Sequence, residues 1–88
     1  MLEKFWVYVL ELENGKRYVG QTNNLERRLE EHSRGRSQFV RRNPMKQLLY
    51  SEKVETRSEA RSREKFLKSG KGRDWITAQL AEQSALGG

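Results

Sequence analysis

The stretch that most constrains this chain is residues 5–21. Residues 5–12 (Phe-Trp-Val-Tyr-Val-Leu-Glu-Leu) are β-rich and apolar at odd and even positions alike. Side chains of a strand point alternately to two faces, so a strand apolar on both must be covered on both. Glu13-Asn14-Gly15-Lys16 follows. Asn-Gly is the strongest short hairpin signal, because both residues tolerate the positive φ of a tight turn. Arg17 to Gln21 then returns as the partner strand, with Gly20 near its end. A glycine there lets a helix or a substrate come close. The pattern predicts a buried hairpin with a layer on each side.

A helix is predicted over 24–33, capped by Asn23 with Glu26 three residues on. Leu25, Leu29 and His32 fall on one stripe, and Arg28 lies beside it, one turn before His32. Gly35 is read as its left-handed terminator. Residues 37–43 read as a short helix and Asn43-Pro44 as a turn. A third strand is expected over 47–55, too distant for a tight turn, so a helix crosses over before it. Thr56 caps a helix over 56–69, with Glu59 completing a capping box. Gly70-Lys71-Gly72 is read as a break and 73–83 as a last helix. The fold class is therefore an α/β (α+β) sandwich, a three-stranded antiparallel sheet flanked by helices. Residues 1–83 form one domain, and 84–88 a disordered tail.

Eighty-eight residues make a single domain with a modest core. No run approaches the roughly 20 apolar residues of a membrane span, and residues 1–12 lack the marks of a secretory signal. With no cysteine, disulfides and thiolate metal sites are excluded, and a cytoplasmic location is expected. The formal charge is +6 and the pI about 10, which points to an anionic partner, most often nucleic acid. A merely soluble basic surface is the plainer explanation. Arg34, Arg36, Arg41, Arg42 and Lys46 concentrate the charge. They are the candidate phosphate-tracking segment, against the alternative of a solvated loop.

Tyr8 and Tyr18 fall on paired strands, and Arg28 and His32 stand four apart on the next helix. At these residues the sequence resembles the GIY-YIG nucleases, most closely the small stand-alone members related to the N-terminal domain of the excinuclease C subunit. Val7-Tyr8-Val9 stands for the first tripeptide and Tyr18-Val19-Gly20 for the second, with eight residues between them. The resemblance covers about residues 6–75. It implies a metal-dependent endonuclease hydrolysing phosphodiester bonds in DNA, branched or damaged, with RNA as an alternative, in repair or recombination. Tyr8 and Tyr18 match the family's two tyrosines, which position or deprotonate water. Arg28 matches its phosphate-binding arginine and His32 a position of His or Tyr. Glu64 matches its metal-binding glutamate, for Mg²⁺ or Mn²⁺. The first tripeptide departs mildly from the pattern, with Val7 for Gly and Val9 for Ile, and two further positions depart from it: Gln21 replaces a frequent Lys and Ile76 a frequent Asn.

Each residue also has a plainer role. Hairpin tyrosines are common packing residues. Arg28 has Glu31 at i+3, and Glu64 has Lys68 at i+4. A histidine near a helix end interacts with the terminal carbonyls. A non-catalytic nucleic-acid-binding module of the same fold is accordingly the alternative function, and a protein-interaction domain a third. The hydrolytic reading expects all five side chains to meet around one solvent-reachable hollow. A carboxylate on the opposite side of the sheet from the phenols overturns it.

Overall fold

The computed structural model describes residues 4–34 and 44–87. The elements run β1 (Phe5–Leu12), β2 (Arg17–Thr22), α1 (Leu25–Ser33), β3 (Met45–Val54), α2 (Arg57–Lys68) and α3 (Gly70–Gly87). They form the expected sandwich, an antiparallel sheet of order β2-β1-β3 with helices on both faces. The segment 37–43, expected to be a short helix, and Gly35 lie outside the described residues. No helix among the described residues is long and apolar enough to cross a membrane.

The two-sided strand β1 takes the centre. Phe5, Val7 and Val9 are buried with Ala60 and Leu67 of α2 and Ile76 of α3. Tyr8, Leu10 and Leu12 are buried on the other face, under Leu25 and Leu29 of α1. Odd positions thus face α2 and α3, and even positions face α1.

The hairpin turn differs from the expected form. Only Gly15 has a positive φ, +84°. The turn closes through Gly15 N–H to the Leu12 carbonyl (2.9 Å), and Asn14 acts through its side chain, whose Oδ1 accepts from Lys16 N–H (2.9 Å). A turn followed by a left-handed glycine suits the twist of the strands as well as a two-residue loop does.

The N-cap of α1 is Asn24 rather than Asn23: its Oδ1 accepts from Arg27 N–H (3.1 Å). Glu26 then lies in the first turn, where its charge favours the helix dipole. Thr56 caps α2 as expected, accepting from Glu59 N–H (3.1 Å), while the Glu59 carboxylate reaches back to Glu55 N–H.

The break before α3 falls at Ser69, not at the glycines. Ser69 N–H donates to the Phe66 carbonyl, and Ser69 Oγ accepts from Gly72 N–H (3.1 Å), so one serine ends α2 and caps α3. Gly72 is helical because the chain doubles back tightly there. A Cβ on it would stand 1.9 Å from the Phe66 carbonyl oxygen. At the other end α3 runs to Gly87, past the point where a disordered tail is expected. The run Ala78-Gln79-Leu80-Ala81-Glu82-Gln83 consists of strong helix formers, and no stop signal follows before the terminal glycines.

One polar staple ties α2 to the sheet. Arg63 donates through Nε and Nη2 to Glu52 of β3 (2.8 and 3.0 Å). Tyr50 Oη donates to the same carboxylate (2.9 Å). The guanidinium also lies over the rings of Phe66 (5.0 Å) and Trp75 (5.1 Å), which joins β3, α2 and α3.

The two glycines in the first turn of α3 should answer oppositely to alanine. Gly→Ala in a helix gains up to about 1 kcal/mol from propensity. At Gly72 the clash with α2 backbone overrides that gain, so Gly72→Ala should lower stability by about 1–3 kcal/mol. Gly70→Ala, whose Cβ meets nothing within 4 Å, should leave stability equal or slightly raised. Urea midpoints of the two variants check this.

Candidate active site

The register of the hairpin sets the site. Tyr8 pairs with Gly20 and Leu10 with Tyr18, so both phenols occupy the α1 face as diagonal neighbours, with ring centroids 6.3 Å apart. Gly20 has a sharper role than ending a strand. A Cβ there would lie 2.5 Å from the Tyr8 hydroxyl and 3.0 Å from Tyr18 Cε1. What comes close to this glycine is the pair of phenols themselves.

Helix α1 crosses the same face and delivers Arg28 and His32 from one stripe. Tyr8 Oη lies 2.9 Å from His32 Nε2, and Arg28 Nε donates to Tyr8 Oη at 3.4 Å. The imidazole packs edge-on against both phenols, with centroids 5.7 Å from Tyr8 and 5.2 Å from Tyr18. Arg28 also interacts with Tyr18, and its Nη1 lies 3.7 Å from the Glu31 carboxylate. The pairing of Arg28 with Glu31 is therefore present, but long, and it does not draw the guanidinium away from the phenols.

Burial governs the charge states here. Tyr8 is 1% exposed, and desolvation pushes its pKa up to about 12, against the pull of Arg28. His32 is fully buried, and its pKa falls below the ordinary value, first from burial and then from the Arg28 charge. Both groups are neutral at neutral pH. Among the described residues, His32 Nδ1 is a buried polar atom with no hydrogen-bond partner. Tyr18 is half-buried.

Glu64 is not in this group. On β2, Gln21 pairs with Val7 and so faces α2, opposite to the phenols. Its Nε2 donates to Glu64 Oε2 (2.9 Å), and Lys68 Nζ lies 3.1 Å from Glu64 Oε1. Four of the five expected side chains therefore meet, and the carboxylate stands on the other face of the sheet. The two groups adjoin around β2, an outer strand of the described sheet. There Tyr18 borders a cavity of about 450 Å³ together with Glu64, Lys68, Arg17 and Arg73. The single hollow of the sequence reading becomes two half-sites astride one strand edge.

The chemistry of Glu64 fits one hard divalent cation. Among the described residues no group of three or more His, Asp or Glu side chains forms a cage. Mg²⁺ does not need one, since it commonly takes one or two carboxylates and completes its shell with water and substrate phosphate. Glu64 already sits between two donors and must release Lys68 to accept an ion.

The basic segment is only partly seen. Arg36, Arg41 and Arg42 lie outside the described residues. Arg34 follows α1 and pairs with Glu30 (2.7 Å). Lys46 is exposed on β3, across β1 from the β2 edge. The cations beside the cavity are Arg17, Lys68 and Arg73, which sequence reading did not select as phosphate contacts. Lys68 was visible only as an i+4 partner of Glu64, and Arg17 and Arg73 carry no sequence signal of their own.

The profile of the GIY-YIG catalytic domain matches residues 4–76. The chain belongs to the GIY-YIG family. Its relatives include a UPF0213 protein of Clostridium perfringens, 42% identical over 65 residues that make up 72% of this chain and 69% of the relative. A UPF0213 protein of Xanthomonas axonopodis pv. citri is 37% identical over 82 residues, 89% of this chain and 80% of the relative. Among solved structures, the solution NMR structure of a UPF0213 protein from Bacillus halodurans matches with a TM-score of 0.55 and 26% identity, covering 86% of this chain and 84% of that one. In this GIY-YIG chain, Ile76 is a core residue, 1% exposed, with no polar part to play.

The buried imidazole gives a stability signature. Its folded pKa lies below the unfolded value near ~6.5, so the unfolded chain binds the proton first. Its contribution is complete above that pH and is lost as pH falls through the folded pKa. Urea unfolding at pH 5, 6 and 7.5 should show stability declining on the acid side. In His32→Gln that part of the slope should vanish.

Proposed function

We propose that this protein is an endonuclease that hydrolyses phosphodiester bonds in DNA, with the scissile phosphate seated on the β2 edge beside Tyr18. The observation that carries the reading is the convergence of Arg28 and His32 on the Tyr8 hydroxyl, beside a half-buried Tyr18 whose strand also borders the cavity holding Glu64. Family membership supports nucleic-acid chemistry.

The carboxylate lies across the sheet from the phenols, the placement that the sequence reading set against hydrolysis; hydrolysis is kept because both groups reach the edge of β2. In-line displacement at phosphorus has the nucleophile entering opposite the leaving oxygen. A proton acceptor on one side of the strand edge and a carboxylate on the other answer that demand. Tyr18 is the phenol that meets water. As the water oxygen bonds to phosphorus, Tyr18 Oη accepts the water's proton and releases its own to solvent, the P–O bond to the leaving group breaks, and the departing oxygen is protonated from solvent. Tyr8 is a positioning residue: buried, with a pKa of about 12, its hydroxyl accepts from Arg28 Nε and hydrogen-bonds His32 Nε2, which keeps the two in register. The Arg28 guanidinium offers the remainder of its donor fork to phosphate oxygens. Glu64 would hold one Mg²⁺ or Mn²⁺, which would supply Lewis-acid stabilisation of the leaving oxygen when bound. The setting is cytoplasmic, in DNA repair or recombination, on branched or damaged DNA.

One observation favours a second reading, a nucleic-acid-binding module without cleavage. Both oxygens of Glu64 already have partners, Gln21 and Lys68. Salt-sensitive binding with no nicking in Mg²⁺ or Mn²⁺ would establish it.

Nicking of plasmid and branched DNA in Mg²⁺ and Mn²⁺ separates the two. Tyr18→Phe, Arg28→Ala and Glu64→Ala should each lose activity by roughly 10²-fold or more, and Tyr8→Phe by less. Equal rates in wild type and these variants would overturn the hydrolytic reading and point to a contaminant.

A further inference from the structure

The hollow between β2, α2 and α3 has a composition that hydrolysis alone does not require. Its floor is apolar: Val9, Leu67 and Ile76 are each 1% exposed, and Val19 is half-buried beside them. Its rim is cationic: Arg17, Lys68 and Arg73 stand around it against the one carboxylate of Glu64. Lys68 is spent on Glu64, and Arg17 Nη1 donates to Thr77 Oγ1 (3.0 Å), which fixes that guanidinium at the mouth. The cavity of about 450 Å³ falls inside the roughly 300–1,000 Å³ of small-ligand sites. A metal-and-phosphate site needs charge and oxygen ligands. It has no use for a deep aliphatic floor.

An aliphatic floor with guanidinium groups at its lip matches one ligand class, a nucleotide with its base inside and its phosphate at the rim. We infer that this hollow is a subsite for a single unpaired nucleotide of the strand being cut, next to the scissile phosphate. The inference rests on the nuclease reading and deepens it, since Tyr18 and Glu64 border the same hollow. A base stacked in a duplex cannot enter it, whereas an unpaired or weakly paired one has less to give up. The substrate so selected is DNA with a locally unpaired nucleotide at the cut, as at a flap, a bulge or a damaged pair.

The test is binding without metal, so it does not depend on cleavage. Two hairpin DNAs are compared in EDTA by fluorescence anisotropy, one fully paired and one with a single extrahelical 2-aminopurine. Wild type should bind the second about tenfold tighter and change its 2-aminopurine emission. Val19→Phe, which fills the hollow, and Arg73→Glu, which reverses the rim, should each abolish that preference. Near-ultraviolet circular dichroism confirms that the variants are folded. Equal binding of the two DNAs by wild type overturns the inference, as does a preference that survives both substitutions. If nicking is absent but the preference is present, the hydrolytic reading fails and the subsite stands. If nicking proceeds without any preference, the reverse holds.

Discussion

Everything in this structure follows from β1 being apolar on both faces. A strand that must be covered twice divides the chain into two layers, and the division passes through the chemistry as well as the core. The even face gathers Tyr8 with Tyr18, Arg28 and His32 under α1. The odd face gathers Glu64 with Gln21 and Lys68 under α2. No rotamer change can bring the two groups to one face, because alternation along a strand is fixed by the backbone. They share only the edge of β2. On the proposed reading this short outer strand is where a substrate would touch both.

The two tyrosines illustrate how burial assigns roles that residue type leaves open. They are chemically identical, sit two positions apart in register, and contact the same imidazole. Tyr8 is enclosed by the sheet, Gly20 and α1, so its ionised form is disfavoured and its hydroxyl is committed to two neighbours. Tyr18 is half-exposed on the outer strand. The guanidinium that holds one also reaches the other. A buried, fully engaged phenol is a scaffold for the exposed one, and the buried imidazole extends that scaffold by one residue.

Much of this was legible in the sequence. A β-rich run apolar at odd and even positions located β1 to the residue, and the cap of α2 was visible as Thr56 with Glu59. The misplaced ends have local causes. Asn23 and Asn24 are equally good caps, and only the helix's packing on the sheet chooses the second. Gly70 and Gly72 look like a breaker, but a serine does the breaking, and Gly72 is there to let α3 turn back on α2. Parity within β2 already implies that Tyr18 and Gln21 face opposite ways. What parity cannot tell is which face α2 covers, since that depends on how the chain crosses after β3. The side of Glu64 was for that reason out of reach, and with it the cation set around the cavity.

The staple at Arg63 explains why the carboxylate stays where the register puts it. Arg63 is bound bidentately to Glu52 and lies over two aromatic rings, so α2 cannot rotate about its axis without breaking a partly buried ion pair. Glu64 is the next residue, turned about 100° further round the helix, which aims it from β3 towards β2. Gln21 and Lys68 then hold its two oxygens. The phenols are locked by Gly20 and His32 on their side, and the carboxylate by Arg63 on its own. On the proposed reading both half-sites are held by contacts already made within the fold, so little binding energy would be spent on assembling them. Metal binding would then ask Glu64 to give up Lys68, an exposed partner and the least costly kind of ion pair to break.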